Sequence, residues 1–137
     1  MKIKKLKYNK SEDINLLKNF LDNNVSGAKH FRYFEKRPLE IIKNHIVTYI
    51  FFDGVEVIGY GHLDLEDGVV WLGIMVSEKY RGKGFGKKIV KKLIKNYDGN
   101  IMLSVDSNNI KAFNLYSNLN FTIVEKKDKI IIMKLIK

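Results

Sequence analysis

Apolar residues recur with helical spacing in four stretches of the chain. The stretches are residues 11–22, 38–45, 87–97 and 107–120. Ser11 stands where the N-cap of the first helix is expected, and Pro38 is suited to the first turn of the second. The last helix has three polar residues that can cap it: Ser107, Asn108 and Asn109.

Seven other runs are rich in β-branched and aromatic residues, with turn residues between them. They cover residues 3–8, 46–52, 55–65, 69–76, 101–105, 121–127 and 129–136. Asp53 and Gly54 form a strong hairpin turn between the second and third runs, so the second to fourth runs predict an antiparallel meander. The resulting order, β α α β β β α β α β β, predicts a mixed α/β fold built in layers.

The length of 137 residues suffices for one domain with its own hydrophobic core, and no linker or repeat divides the chain. We expect a single domain over residues 1–137. The absence of cysteine excludes disulfides, thiolate catalysis and cysteine-type zinc sites, and no metal is expected. No apolar stretch approaches the roughly 20 residues of a membrane span, and the basic N-terminus lacks the apolar core of a signal peptide. These features predict a cytoplasmic protein without a membrane partner.

The formal net charge of +10 favours anionic partners such as nucleic acid, an acidic membrane surface or a phosphorylated small molecule. Compositional drift explains the charge equally well, because lysine far outnumbers arginine while asparagine and isoleucine are also abundant. Only the positions of the charges can decide between the two explanations.

The most informative segment is RGKGFGK, residues 81–87, which lies between a predicted strand and a helix. Its glycines allow backbone N–H groups to approach a ligand closely, and a helix N-terminus adds positive partial charge, so the segment suits a phosphate or pyrophosphate. The spacing is neither that of a P-loop nor that of the Rossmann G-x-G-x-x-G pattern. A solvent-exposed turn before a basic helix is the alternative interpretation.

A second motif lies downstream, with the spacing N-x-x-A-x-x-x-Y-x-x-x-x-F. Its members are Asn109, Ala112, Tyr116 and Phe121. Ala112 and Tyr116 are four residues apart, so they share one helix face with Asn109 nearby. That face offers an amide and a phenol to a polar ligand, although a tyrosine on an apolar helix face more often belongs to the core.

Together and in this order, the two motifs resemble those of the GNAT superfamily of acyl-CoA N-acyltransferases. The family pattern R/Q-x-x-G-x-G/A is matched by Arg81, Gly84 and Gly86, and the later pattern by the four residues above. Asn120 replaces the usual glycine, a mild departure because asparagine tolerates a left-handed conformation. The resemblance covers essentially the whole chain. It implies a mixed, mostly antiparallel sheet of about seven strands flanked by about four helices.

The resemblance also implies how acetyl-CoA binds and reacts. The fourth and fifth strands of the family separate, and acetyl-CoA enters the gap. The backbone of the fourth strand would bind the pantetheine and thioester carbonyl, the glycine-rich loop the pyrophosphate, and Asn109 the pantetheine arm. Tyr116 would protonate the departing CoA thiolate. The implied cofactor-binding residues of the strand and loop are Ile74, Met75, Val76, Arg81, Gly82, Lys83, Gly84, Phe85, Gly86 and Lys87.

The general base is less clear, because many relatives carry a glutamate on the fourth strand and residues 69–76 contain no acid. An acceptor amine with a pKa near ~10 must lose a proton before it attacks. The substitutes are His62 or Asp64 on the third strand, Asp106 after the fifth, or a chain of water molecules. His62 titrates nearest to neutral pH. Glu56, His62 and Asp64 are expected to alternate onto one face of the strand.

The acceptor pocket implied by the resemblance draws on residues 27–37 and 126–129. Phe31 and Phe34 either help to receive the acceptor or simply seal the helices against the sheet. The sequence leaves the acceptor amine, the acyl length and the oligomeric state open, a homodimer included. Two other functions compete: a basic nucleic-acid-binding module, which core packing of the strand aromatics disfavours, and a non-catalytic acyl-CoA-binding protein of the same fold.

Overall fold

One seven-stranded sheet organises the computed structural model, which describes residues 1–24, 33–35 and 37–137. The strands are β1 (Lys2–Lys5), β2 (His45–Asp53), β3 (Glu56–Glu66), β4 (Val69–Val76), β5 (Ile101–Asp106), β6 (Thr122–Lys127) and β7 (Ile130–Leu135). The α-helices are α1 (Ser11–Asp22), α2 (Phe85–Ile94) and α3 (Ile110–Asn118), and 3₁₀ turns cover Tyr33–Glu35, Leu39–Asn44 and Glu78–Tyr80. No helix in these described ranges is both long and apolar enough to cross a membrane.

The strands lie in the order β1-β2-β3-β4-β5-β7-β6. Neighbours pair antiparallel except β4 and β5, which are parallel. The parallel pair marks the point where the chain leaves the meander, crosses over through α2 and re-enters the sheet on the far side of β4. The predicted fold class and order of elements are therefore confirmed, with the second helix formed as the 3₁₀ segment Leu39–Asn44.

Two boundary predictions are wrong. β1 ends at Lys5, so Leu6 and Tyr8 lie outside it, although Leu6 is buried and its N–H donates to the Thr48 carbonyl at 2.8 Å. Lys10, not Ser11, is the N-cap residue of α1, and it makes no side-chain capping bond. No side chain caps α1, whose first N–H groups instead donate to the Lys10 carbonyl, while the Asp13 carboxylate binds the preceding loop at the Lys7 N–H.

The core has two layers, one on each face of the sheet. α2 packs its buried residues Ile89, Val90 and Leu93 on one face, together with the apolar side of α3. α1 packs Leu17 and Phe20 on the other face.

Asp13 connects α1 to the first strand. Its side chain is buried; its Oδ2 accepts the Lys7 N–H at 2.8 Å, and its Oδ1 lies 3.1 Å from the Lys4 ammonium. Burial by itself raises the pKa of Asp13, but the hydrogen bond from Lys7 and the charge of Lys4 more than offset this effect, so the pKa is lowered.

We expect Asp13→Asn to reduce the free energy of unfolding by about 1–2 kcal/mol at pH 7, since it removes the charge from a buried hydrogen-bonded group. A lowered pKa in the folded state means that the stabilisation is present above the unfolded value near ~3.9 and is lost as pH falls below it. Urea unfolding at pH 7 and at pH 3.5 should therefore show a difference from the parent that shrinks in acid. Glu12→Gln, an exposed neighbour in the same turn, is the control and should change stability little. An equal loss at both pH values would contradict the assignment.

Candidate active site

A cleft opens between β4 and β5. The two strands pair only at Val70 with Ile101 and at Trp71 with Met102. Residues 72–76 of β4 continue to pair with β3 on the other side, so their backbone groups on the β5 side have no ladder partner. The predicted separation of the fourth and fifth strands is present. Ile74 and Val76 pack towards α2, whereas Met75 is buried on the α1 face.

The glycine-rich loop and the start of α2 form a cradle of backbone donors. Gly82 and Gly84 have left-handed φ angles of +75° and +85°, and Gly84 is the N-cap of α2. A Cβ on either glycine would meet no atom within 4 Å, so the loop surface is open there. Within the described residues, the N–H groups of residues 82–87 have no hydrogen-bond acceptor. Six consecutive free donors at a helix N-terminus suit a diphosphate.

The Arg81 side chain supports this loop, but the Arg81 backbone N–H is not one of the free donors. Its backbone N–H donates to the Glu78 carbonyl at 3.3 Å, and its Nε donates to the Val76 carbonyl at 3.2 Å. The expectation that the Arg81 N–H belongs to the phosphate-binding row is therefore wrong, because that hydrogen is already used. Its guanidinium instead ties the loop to the end of β4.

The loop, β4 and α3 meet at Gly86. A Cβ placed on Gly86 would lie 3.1 Å from Leu115 of α3, 3.9 Å from Ile74 and 4.0 Å from Val76. The phosphate cradle, the open edge of β4 and the helix that carries the second motif are thus contiguous. Lys83 and Lys88 flank the cradle, their ammonium groups 5.7 Å from the Tyr80 ring and 5.4 Å from the Phe85 ring. Lys87, which supplies one of the free N–H groups, is itself exposed.

Asn109 stands at the start of α3, and the oxygen of its side-chain amide already accepts a hydrogen bond. Its Oδ1 accepts the Ala112 N–H at 3.3 Å, which confirms it as the N-cap residue. Its side-chain nitrogen has no partner in the part of the chain that the structure describes. Asn109 can therefore donate a hydrogen bond to a ligand, whereas its oxygen stabilises the helix end.

Tyr116 lies on α3, one residue after Leu115, and is 7% exposed. Its ring makes an edge contact with Phe121, with 5.9 Å between the centroids, and Asn120 between them has the expected left-handed φ, +74°. Burial raises the pKa of Tyr116, so the phenol is protonated at neutral pH. Among the described residues its hydroxyl has no hydrogen-bond partner, yet it is not one of the fully enclosed atoms. It is available as a donor.

His62 lies on β3, directly opposite Gly73 of β4. Its side chain is 1% exposed and its Nδ1 lies 2.6 Å from the Tyr60 hydroxyl. A Cβ on Gly73 would stand 2.5 Å from His62 Cε1 and 2.8 Å from Nε2. The imidazole thus occupies the volume that a side chain at position 73 of β4 would need. Burial lowers the pKa of His62 well below 6.5 and keeps it neutral, and His45, which stacks on it at 4.5 Å, adds to the effect.

A hydrogen-bonded chain surrounds His62, and the sequence did not reveal it. The Tyr33 hydroxyl donates to Asp64 Oδ2 at 2.6 Å and lies 2.8 Å from His45 Nε2, while His45 Nδ1 lies 2.7 Å from the Thr48 hydroxyl. The sequence singled out His62 and Asp64 but missed Tyr33, His45 and Thr48. Placing His45 and Thr48 next to them requires the β2–β3 register, and Tyr33 comes from a segment without a strand or helix pattern.

The predicted alternation of Glu56, His62 and Asp64 on one face is wrong. The β2–β3 pairing shifts register between Phe51 and Phe52, and this irregularity separates Glu56 from the other two. Glu56 instead accepts the Tyr80 hydroxyl at 2.6 Å and pairs with Lys79 at 3.2 Å. His62 and Asp64 remain together on the α1 face, whereas Asp106 lies at the end of β5, opposite Ile130 of β7.

The expected acceptor segment is described only in part, since residues 25–32 and 36 lie outside the described residues. Phe34 packs with the α1-side cluster, its ring 5.9 Å from that of Tyr60, which agrees with a sealing role. The Arg37 guanidinium stacks on the Tyr33 ring at 4.4 Å. The second expected wall, residues 126–129, forms the β6–β7 turn, with Asp128 at a φ of +49°. No metal-binding group of three or more acidic or histidine side chains is found in the described ranges.

Residues 15–121 match the Acetyltransferase (GNAT) family. The chain belongs to this family, and the identification made from the two motifs is confirmed. It is similar to "Spermine/spermidine N(1)-acetyltransferase" from Bacillus subtilis (strain 168), with 41% identity over 64 residues. It is also similar to "Probable spermine N(1)-acetyltransferase" from Bacillus subtilis subsp. natto (strain BEST195), with 39% identity over 64 residues. Each match covers 42% of this chain and 42% of the relative, so it spans less than half of either protein.

Solved structures share the fold over nearly the whole chain. The putative acetyltransferase yncA from Salmonella typhimurium, solved with its cofactor acetyl-CoA, gives a TM-score of 0.75 at 18% identity and covers 99% of this chain and 93% of its own. A GCN5-related N-acetyltransferase from Kribbella flavida gives 0.77 at 16% identity, with 99% and 97% covered. The predicted sheet of seven strands flanked by helices is confirmed as the fold of this family.

Proposed function

We propose that this protein transfers an acetyl group from acetyl-CoA to a primary amine. The observation that carries the proposal is the convergence at Gly86, where the cradle of free N–H groups, the open edge of β4 and helix α3 meet. Family membership supports the reaction class. A diphosphate, an amide-containing arm and a thioester occur in this order in acetyl-CoA, and the site offers donors in the same order.

The residues fit acetyl-CoA by their hydrogen-bonding capacity. The N–H groups of residues 82–87 would bind the diphosphate, and Lys83, Lys87 and Lys88 add positive charge to the same end. Asn109 would donate to an amide carbonyl of the pantetheine arm. Unpaired backbone groups in residues 74–76 would bind the rest of the arm and the thioester carbonyl. When bound, acetyl-CoA supplies an activated acetyl group.

Acetyl transfer would use one backbone donor to stabilise charge and two side chains to move protons. A backbone donor of β4 aimed at the thioester oxygen stabilises the negative charge that develops there. The Tyr116 hydroxyl donates a proton to the leaving sulfur. His62 takes the proton of the attacking amine, because its ring reaches across Gly73 towards the cleft and its burial keeps it neutral. Direct attack needs no covalent enzyme intermediate, which suits a chain without cysteine.

A thiol-release assay with acetyl-CoA and a panel of amines tests the proposal. The panel includes monoamines, polyamines, an amino sugar, an amino acid and a lysine peptide, with polyamines included because both curated relatives carry spermine in their names. Amine-dependent release of CoA and an acetylated product by mass spectrometry are expected. CoA binding without transfer to any amine would favour the non-catalytic alternative. Salt-sensitive binding of nucleic acid without CoA binding would favour the nucleic-acid module.

Gly84→Val should weaken CoA binding about tenfold or more. Valine is disfavoured at a φ of +85°, so the loop must change conformation, and its branched side chain would enter the open surface over the cradle. Calorimetry with CoA measures the effect, and circular dichroism shows whether the variant is folded. Gly54→Val, at a left-handed turn far along the chain from the loop, controls for the general cost of valine at such a φ. Equal CoA affinity in a folded Gly84→Val protein would refute the cradle.

A further inference from the structure

In the part of the chain that the structure describes, Asp64 is a buried carboxylate without a cationic partner. It is 3% exposed, and its one hydrogen bond in the described residues comes from the Tyr33 hydroxyl. No ion pair of Asp64 is present in residues 1–24, 33–35 and 37–137, although the chain carries 25 lysines and arginines. Removing a carboxylate from water is costly unless a cation or several donors compensate it. A charge left in this condition points to a missing cationic partner.

The neighbouring basic groups do not supply that partner. Burial lowers the pKa of His45 to about 4, so its imidazole is neutral at pH 7 and carries no charge to offset Asp64. With the Tyr33 proton directed to Asp64, the neutral ring donates Nε2–H to the Tyr33 oxygen and accepts the Thr48 proton at Nδ1. Arg37 lies across the Tyr33 ring and is engaged by Glu66 at 3.3 Å and the Tyr33 carbonyl at 3.0 Å.

The surroundings of Asp64 suit an alkylammonium. The second carboxylate oxygen of Asp64 accepts no hydrogen bond from the described residues, and it is not fully enclosed. Trp71 stands directly opposite Asp64 in the β3–β4 register and is half-buried on the same face. A carboxylate next to aromatic rings binds organic cations through both charge and ring faces.

The distance from Asp64 to His62 determines how far apart two nitrogen atoms of a bound amine must be. The two residues are two apart on the same face of β3, so their attachment points lie about 7 Å apart. Three or four methylenes in extended form separate two nitrogens by roughly 5–6 Å. An amine whose first nitrogen lies near His62 and Gly73 can therefore bring a second nitrogen to Asp64.

We propose that Asp64, held in place by the Tyr33 hydroxyl and opposite Trp71, binds a second ammonium group of the acceptor, so that the acceptor is a diamine or polyamine with three or four methylenes between nitrogens. This inference rests on the proposed acetyl transfer, which it deepens by naming the class of acceptor and the residue that selects it. It also explains why a protein of net charge +10 keeps a buried carboxylate without a cationic partner in its described residues.

The test compares 1,4-diaminobutane with butylamine, which has the same carbon chain and lacks the second nitrogen. The parent should use the diamine with a kcat/KM at least about tenfold higher, the size expected for a hydrogen bond to a charged group. Asp64→Asn keeps the shape and the acceptor for Tyr33 but removes the charge. It should raise KM for the diamine about tenfold and leave KM for butylamine unchanged. Asp67→Asn, which alters an exposed carboxylate in the turn after the same strand at a left-handed φ that asparagine tolerates, should leave the preference intact.

Two further measurements separate this inference from the proposed function. Calorimetry of the CoA-loaded protein with 1,4-diaminobutane reports Asp64-dependent binding without any turnover. A series of diamines with two to six methylenes tests the spacing in the parent alone, so the test stands even if Asp64→Asn does not fold. Acetylation of monoamines and diamines with equal efficiency would overturn the Asp64 site and leave the proposed function intact. Diamine binding that depends on Asp64, without transfer, would support the site and refute the enzyme.

Discussion

Tyr116→Phe is expected to lower kcat about a hundredfold while the dissociation constant for CoA changes less than about twofold. A positioned general acid contributes about 10²–10⁴-fold. The substitution retains the ring and its edge contact with Phe121, so packing at the cleft is preserved. Because burial keeps the phenol protonated, the parent holds the required proton throughout the neutral pH range. Steady-state kinetics with a good amine, together with calorimetry for CoA, measures both quantities.

Tyr49→Phe provides the matched control for this prediction. Tyr49 is equally buried, at 7% exposed, and its hydroxyl donates to Asn96 at 3.2 Å on the α2 side of the sheet. Its replacement should cost some stability and leave kcat unchanged. Full turnover with weaker CoA binding in Tyr116→Phe would make Tyr116 a wall of the cleft. Unchanged values for both would place it in the core, and another group would then protonate the thiolate.

The sequence predicts the fold well because its helices and strands are separated by clear turn residues. Asp53 and Gly54 specify the hairpin of the meander, and the left-handed Asn120 ends the α3 segment as expected. The errors lie at helix and strand ends, where one hydrogen bond decides the boundary. The start of α1 is the example, since the helix begins one residue earlier than a Ser11 cap would place it and nothing in the sequence shows that Ser11 makes no capping bond.

The site is predicted only where its residues are local in sequence. The glycine-rich loop and the Asn109 to Tyr116 motif each lie within one short segment, so spacing reveals them. The chain from Thr48 through His45 and Tyr33 to Asp64 joins three separate segments. Its assembly depends on strand register and on the register shift between His45 and Val47 of β2, and a shift of one residue moves a side chain to the opposite face.

His62→Gln is expected to lower kcat about a hundredfold at neutral pH, again within the range of general base catalysis. The imidazole of the parent is neutral well below pH 6.5, since burial lowers the pKa of His62. His62 can accept a proton only at pH values above its own lowered pKa. The kcat of the parent should therefore fall only when the pH drops well below 6.5. The variant should lose this acid limb as well as the rate. Unchanged kcat and an unchanged pH profile would leave solvent or Asp106 as the base.

Gly73→Ala tests the contact between His62 of β3 and Gly73 of β4 by changing the residue on β4. The added methyl group would stand 2.5 Å from His62 Cε1, so the ring must move, and overpacking of this kind costs about 1–3 kcal/mol of stability. In a His62→Ala background the methyl group enters free space, and the cost of Gly73→Ala should nearly vanish, which a double-mutant cycle of urea unfolding measures. Turnover should behave in the same way: Gly73→Ala slows the parent strongly and adds nothing to His62→Ala. Equal effects in the two backgrounds would show that Gly73 and His62 act independently. The absence of a side chain at Gly73 would then not be what allows the imidazole to act at the cleft.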